Sequence, residues 1–203
     1  MCTSAQADSA ATDATDAAKS AHQAPRTTLN TLLAGFGGQG ILFAGKLLAY
    51  AGLLENREVS WLPSYGPEMR GGTANCSVCL ATEPIGSPLV TEPEVLVALN
   101  QPSFDTFIDR VAPGGIVLCD SGLVDPHTTR TDVTIFAFPA TETCAGQGLK
   151  GLANVMMVGK IIKETGILEP SAIEAAIDKS IPPKRAHLIE PNNKAFMLGY
   201  HQK

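Results

Sequence analysis

Residues Thr31 to Tyr50, TLLAGFGGQGILFAGKLLAY, constrain what this chain can fold into more than any other stretch. A short apolar strand breaks on a cluster of glycines and runs straight into an apolar helix. That order opens a βαβ unit of the dinucleotide-binding kind, and Gly35-x-Gly37-x-x-Gly40 fits the fingerprint such units carry. In the fingerprint the first glycine turns tightly, the second lets a ligand or a second backbone come close, and the third lets the helix pack on the strand. The helix N-terminus then offers unpaired N–H groups and a partial positive charge to an anion.

The pattern does not by itself specify a dinucleotide. Such a site wants an acid about 20 residues on, at the tip of the second strand, to hold the ribose hydroxyls. The second strand, Glu58 to Leu62, ends in Pro63-Ser64-Tyr65, and Glu55 and Glu58 come before it. The turn therefore reads as one that accepts a phosphate or faces a partner, not as an NAD site. An overlapping match, Gly40-ILFA-Gly45-Lys46-Leu47, imitates a phosphate loop but has apolar helix formers in its variable positions and no hydroxyl at Leu47 for magnesium.

Composition removes several function classes. With 15 Lys and Arg against 20 Asp and Glu and no basic cluster, the chain lacks the field that nucleic-acid binding requires. Cys2, Cys76, Cys79, Cys119 and Cys144 are odd in number and without a disulfide-framework spacing, which fits a reducing cytoplasm. Cys76-x-x-Cys79 invites a metal or redox reading. Yet Ala74, Cys76, Val78 and Leu80 alternate with Thr73, Asn75, Ser77 and Cys79, so the two sulfurs leave opposite faces of a strand. No cysteine run suits an iron–sulfur cluster. The longest apolar run, Ile41 to Leu54, is too short to span a bilayer, so no membrane association is expected.

Residues 1–27 are an Ala, Ser, Thr and Asp tail with almost nothing to bury, the composition of a disordered segment. Residues 28–203 read as one domain. Strands are expected at Thr28–Ala34, Glu58–Leu62, Thr73–Leu80, Val95–Leu99, Ile116–Cys119 and Val133–Phe138. Helices are expected at Ile41–Leu54, from a Ser103 cap to Val111, at Leu152–Thr165, from Glu169 to Ile181, and at Pro191–Tyr200. This is an α/β fold: a three-layer, mostly parallel Rossmann-like sheet with helices on both faces and a helical C-terminal part. Ligands of such sheets sit beyond the carboxyl ends of the strands, which places the glycine turn, Asn100 and Asp120 along one edge. Asn154, on an apolar helix, reads as a satisfied core polar group. The loop Ser64-Tyr65-Gly66-Pro67-Glu68-Met69-Arg70-Gly71-Gly72 is longer and more functional in composition than a mere connection needs.

Taken together, GFGGQG, the stretch SYGPEMRGGTANCSV from Ser64 to Val78 and the closing NNKAFMLGY resemble the gamma subunit of 2-oxoacid:ferredoxin oxidoreductases over about Leu29 to Tyr200. The likeness is greatest to the 2-oxoglutarate version, with branched-chain 2-oxoacid and pyruvate versions next. It implies a cytoplasmic complex that decarboxylates a 2-oxoacid on thiamine diphosphate and Mg2+, passes electrons through iron–sulfur clusters to ferredoxin, and hands the acyl group to coenzyme A. It implies alpha and beta subunits bearing the thiamine, and a ferredoxin-like delta subunit. The residues agree with a supporting role: no Gly-Asp-Gly precedes Asn192-Asn193 at the distance a diphosphate-bound magnesium needs.

In fused relatives the matching domain packs beside the thiamine cleft and takes part in coenzyme A binding. For this chain the resemblance implies contacts from Gly35, Gly37, Gly38, Gln39 and Gly40 as a donor nest, from Arg70 as a fork for phosphate, and from Tyr65 as a flat surface for a base or pantetheine arm. Ser64, Glu68, Gly71, Gly72 and Asn75 would dock the neighbouring subunits, Glu68 holding Arg70 or a partner's basic group. Docking alone and docking with coenzyme A contact both stand. So do two readings of other classes, a pure assembly protein and a free-standing NAD-dependent dehydrogenase. No residue of this chain is assigned a catalytic or metal-binding role.

Overall fold

The computed structural model describes residues 26–64 and 73–203. Residues 1–25 of the expected tail and Tyr65, Glu68, Arg70, Gly71 and Gly72 of the loop lie outside the described residues; the last two tail residues join the domain, Arg26 pairing with Glu94 and Thr27 O accepting from Thr82 N–H. Six strands, β1 (Thr28–Phe36), β2 (Glu58–Ser64), β3 (Thr73–Ala81), β4 (Val95–Ala98), β5 (Ile116–Asp120) and β6 (Thr134–Phe138), form one sheet in the order β2-β3-β1-β4-β5-β6. β1, β4, β5 and β6 pair in parallel, and β3 runs antiparallel to both β1 and β2. Apolar residues alternate between two cores. Leu29, Leu33, Val95, Val97 and Leu118 face one side, and Leu32, Ala34, Leu96, Ala98 and Val117 the other.

The first side is covered by α1 (Ile41–Leu54), α3 (Ala140–Gly146), α4 (Ala153–Thr165), α5 (Pro170–Ser180) and α6 (Ile189–Tyr200). The second is covered by α2 (Gln101–Phe107) and the 3₁₀ turn Ile108–Arg110 that continues it. The layered α/β reading holds, and α1 is as apolar as its place between the sheet and α5 demands. Gly45 and Gly52 let it approach closely: a Cβ at Gly45 would lie 2.5 Å from Cys76 Sγ, and one at Gly52 2.6 Å from Leu80 Cδ2.

Three expectations need correction. The helix after β4 is capped by Asn100, whose Oδ1 accepts from Ser103 N–H at 2.8 Å, not by Ser103. α3 has no long apolar repeat to announce it; Asp120, at the end of β5, accepts from the N–H and hydroxyl of Thr141 in its first turn. The third concerns connectivity. In a dinucleotide-binding βαβ unit the strand after the first helix lies beside the first strand. Here β3 takes that place, so β2 stands two strand spacings from β1, about 10 Å.

Candidate functional site

The glycine turn sits where the chain changes sides. β1 leads to α1 on one face and β4, its parallel neighbour, to α2 on the other, so their carboxyl ends bound the crevice at which such sheets hold ligands. The crevice is filled from within. Gln39 Oε1 accepts from Phe36 N–H at 2.6 Å and Gln39 Nε2 donates to Leu99 O at 2.8 Å, tying the turn to the end of β4. Gly35 makes room for that clamp: a Cβ there would lie 2.7 Å from Gln39 Oε1. Both polar ends of Gln39 are thus engaged inside the chain.

The turning itself falls on Gly38 (φ 94°) and Gly40 (φ 74°), left-handed positions that favour glycine. Gly35, still within β1, is not where the chain reverses. Gly40 also packs on α4 rather than on the strand: Asn154 Nδ2 donates to Gly40 O at 2.9 Å, and a Cβ on Gly40 would fall 2.4 Å from that nitrogen. The amide is half satisfied, because Asn154 Oδ1 is buried with no partner among the described residues.

On the outer side the turn lines an open cleft of about 460 Å³ with Phe36, Gly37, Gly38, Ile41, Phe43 and Ala74. α1 has no acid in its first turn and no side chain capping it. The N–H groups of Ile41, Leu42 and Phe43 have no acceptor within the helix and border this space. A phosphate or carboxylate suits such a place. Ser64 and Asn75 are register partners across β2 and β3, and Asn75 faces Ala34 across β3 and β1. Phe36 likewise faces Thr73. Thr73, which follows the 65–72 segment, is therefore beside the glycine turn, and Ser64, which precedes it, lies one strand further out.

The other polar residues expected at this sheet edge are there but internal. Asp120 is fully buried and caps α3, and Asn100 is buried and caps α2. Their side chains serve helix starts, which a one-dimensional reading cannot tell from ligand contacts.

Cys76 packs in the core under α1, whereas Cys79 Sγ approaches Pro88 O on the other face, as alternation along β3 requires. Burial pushes the Cys76 thiol up to about 12, against weaker opposing hydrogen bonds from Trp61 and Gly45. Burial, then the Asp120 charge, pushes Cys119 to about 12 and Cys144 to about 11. Thiols of this kind are inert. Alkylation with iodoacetamide near pH 8, read by peptide mass spectrometry, is expected to leave Cys76 and Cys119 unmodified until the chain unfolds. The unfolded thiols ionise near 9.0 and the folded ones near 12, so the stability they contribute is present below about pH 9 and declines as pH rises toward 12. Urea midpoints at rising pH would show that decline. Among the described residues, no group of three His, Cys, Asp or Glu is placed to hold a metal ion, and no helix is long and apolar enough to cross a membrane.

The profile of the family described as pyruvate ferredoxin/flavodoxin oxidoreductase matches residues 30–202. The 2-oxoglutarate synthase subunit KorC of Methanocaldococcus jannaschii is 39% identical over 171 residues, 83% of this chain and 90% of that protein. The ketoisovalerate oxidoreductase subunit VorA of Methanothermobacter thermautotrophicus is 47% identical over 145 residues, 70% of this chain but only 30% of VorA. Among solved structures, the keto/oxoacid ferredoxin oxidoreductase gamma subunit of Geobacter sulfurreducens superposes with a TM-score of 0.73 at 28% identity, covering 85% of this chain and 96% of that one. The chain belongs to the pyruvate ferredoxin/flavodoxin oxidoreductase family. Within it, the chain is of the gamma-subunit type.

Proposed function

We propose that this chain is the gamma subunit of a multi-subunit complex that converts 2-oxoglutarate, coenzyme A and oxidised ferredoxin to succinyl-coenzyme A, carbon dioxide and reduced ferredoxin. Two larger thiamine-bearing subunits and a ferredoxin-like subunit carry the covalent and redox chemistry. Support for the 2-oxoglutarate version comes from the alignment with KorC along nearly its whole length. The higher identity to VorA, over a smaller part of a longer protein, favours a branched-chain 2-oxoacid as the second reading. Purifying the tagged chain from its host with its companions and assaying coenzyme A-dependent dye reduction with each 2-oxoacid separates the two.

For the chain's own part, the observation that carries most weight is the joining of two features at one sheet edge. The uncapped start of α1 and Thr73, the first residue after the Tyr65–Gly72 segment, meet at the end of β1; on this reading the N–H groups of the turn and the Arg70 guanidinium serve one anionic partner, a phosphate of coenzyme A. The fit is chemical: three N–H groups with no acceptor among the described residues, no acid in the helix, and an exposed flat ring at Phe36. Coenzyme A would supply the thiol that accepts the acyl group; this chain would bind and orient it. A free-standing NAD enzyme is disfavoured, because β3 separates the tip of β2 from the turn and Gln39 fills the crevice.

Arg70→Ala in the assembled complex is expected to raise KM for coenzyme A by about tenfold or more, the worth of a charge-assisted phosphate contact, with KM for the 2-oxoacid little changed. Equal effects on both constants, with a complex that dissociates on gel filtration, would leave docking as the only role.

A further inference from the structure

The edge of the sheet farthest from β2 is open. In a parallel pair, alternate residues direct both backbone groups to the neighbouring strand. Thr134 N–H donates to Gly115 O at 2.9 Å, and Phe138 O accepts from Ser121 N–H at 3.0 Å, which fixes Thr134, Phe136 and Phe138 as the residues bonded to β5. The N–H and C=O of Ile135 and Ala137 are then turned outward, and β6 has no further strand beside it among the described residues. Ala137 is exposed and carries no side chain that would shield them.

Beside this edge, on the helical face, lies an open cleft of about 710 Å³ between β6, the end of α4 and the residues after α6. Its inner wall is built. Lys160 is 2% exposed, and its Nζ donates to Gln202 O at 2.8 Å, pairs with Glu164 Oε1 at 2.7 Å and lies 4.4 Å from the centre of the Phe136 ring. That pair is internally neutral. Lys163 Nζ stands 5.4 Å over the Tyr200 ring, and Lys203 also borders the cleft; neither has a carboxylate partner among the described residues. In a chain whose net charge is -5, this groove carries an excess of cations over aromatic walls.

We propose that β6 and this groove accept an extended acidic segment of another polypeptide, added as a seventh strand. Its backbone pairs with Ile135 and Ala137, and its carboxylates on the helical face meet Lys163 and Lys203. The open edge requires an extended backbone and the cations require acids; a compact anion would use only the second feature. The interface is separate from the glycine turn, since it adjoins the start of β6 and the C-terminal half of α4, whereas the turn adjoins the ends of the strands and the first residues of α4.

The test uses the full chain and a fluorescein-labelled heptapeptide of alternating Asp and Val, with alternating Lys and Val as control, read by fluorescence anisotropy. The acidic peptide is expected to bind about tenfold or more tightly than the basic one, and Ala137→Pro and Lys163→Glu each to weaken it by about tenfold or more. Pro at an outward-facing edge position removes only an unpaired N–H, and Lys163→Glu keeps the test open if the proline variant fails to fold. Equal binding of the two peptides, binding unaffected by both variants, or no saturation by about 1 mM would overturn the proposal. So would displacement by about 10 mM inorganic phosphate at constant ionic strength, which would mark a small-anion site. Replacing Asp8, Asp13 and Asp16 by Asn in the full chain covers one more case: if the probe then bound about tenfold or more tightly, the groove would belong to the chain's own N-terminal stretch and not to a partner.

Discussion

Gly199→Val is expected to be the most damaging single substitution in this chain. A Cβ at Gly199 would lie 1.8 Å from Met156 O, and one at Gly159 would lie 2.1 Å from Phe196 O, so the two glycines mark a reciprocal contact at which the backbones of α4 and α6 touch. Neither obstacle is a side chain that swings away. α6 must lift off α4, carrying buried Ala195 and Phe196 with it and loosening their packing in the main core. Overpacking of this severity costs about 3 kcal/mol or more, which for a chain of this size lowers Tm by roughly 6–12 °C. Thermal melts followed by circular dichroism measure it, and a Tm within about 2 °C of the parent would mean the helices part freely.

The second large effect is expected at Gly40. Gly40→Ala combines two penalties: a left-handed backbone at φ 74°, about 1–2 kcal/mol for an L-residue, and a collision with Asn154 Nδ2, which is held in place by its hydrogen bond to Gly40 O. The loss in unfolding free energy by urea titration is expected to be about 3 kcal/mol. Asn154→Ala should be damaging alone, since it leaves Gly40 O without its donor, yet partly corrective in the Gly40→Ala background. A double-mutant cycle is therefore expected to show coupling of about 1 kcal/mol or more. Additive losses would show that the collision is relieved some other way. The cycle also bears on the proposed function, because the same pair holds the residue just before α1, whose first residues border the outer cleft.

Much of this was legible in the residues. The bounds of α1 were readable without error, because Gly40 and Glu55 bracket an apolar stretch whose one charged residue is Lys46. The αL stop at Gly166 and the proline start of α5 are local chemistry, and local chemistry is written in order along the chain. The opposite facing of Cys76 and Cys79 followed from alternation alone. The candidate site was legible as a set of residues but not as an arrangement. Asn100, Asp120 and Gln39 were all correctly placed at the carboxyl edge of the sheet, yet each spends its polar atoms on a cap or a clamp whose partner is known only after folding. Strand register put Asn75 beside the end of β1 and Ser64 one strand beyond it. Gly159 and Gly199 left no signal, since a glycine inside an apolar helix looks like a weakness until a second helix is laid on it.

By itself, then, the sequence determined the order and type of the elements apart from α3, the place of the glycine turn and the resemblance that led to the family. Only the tertiary structure decided that β3 would enter between β1 and β2, that Gln39 would close the crevice at the change of sides, and that β6 would be left with an open edge beside a cationic groove. The division has a physical cause. Helix periodicity, caps and turns are set by neighbours a few residues apart, whereas strand order and helix crossings are chosen by the burial of apolar faces between segments far apart in the chain, and one residue's share in that choice is too small to read alone.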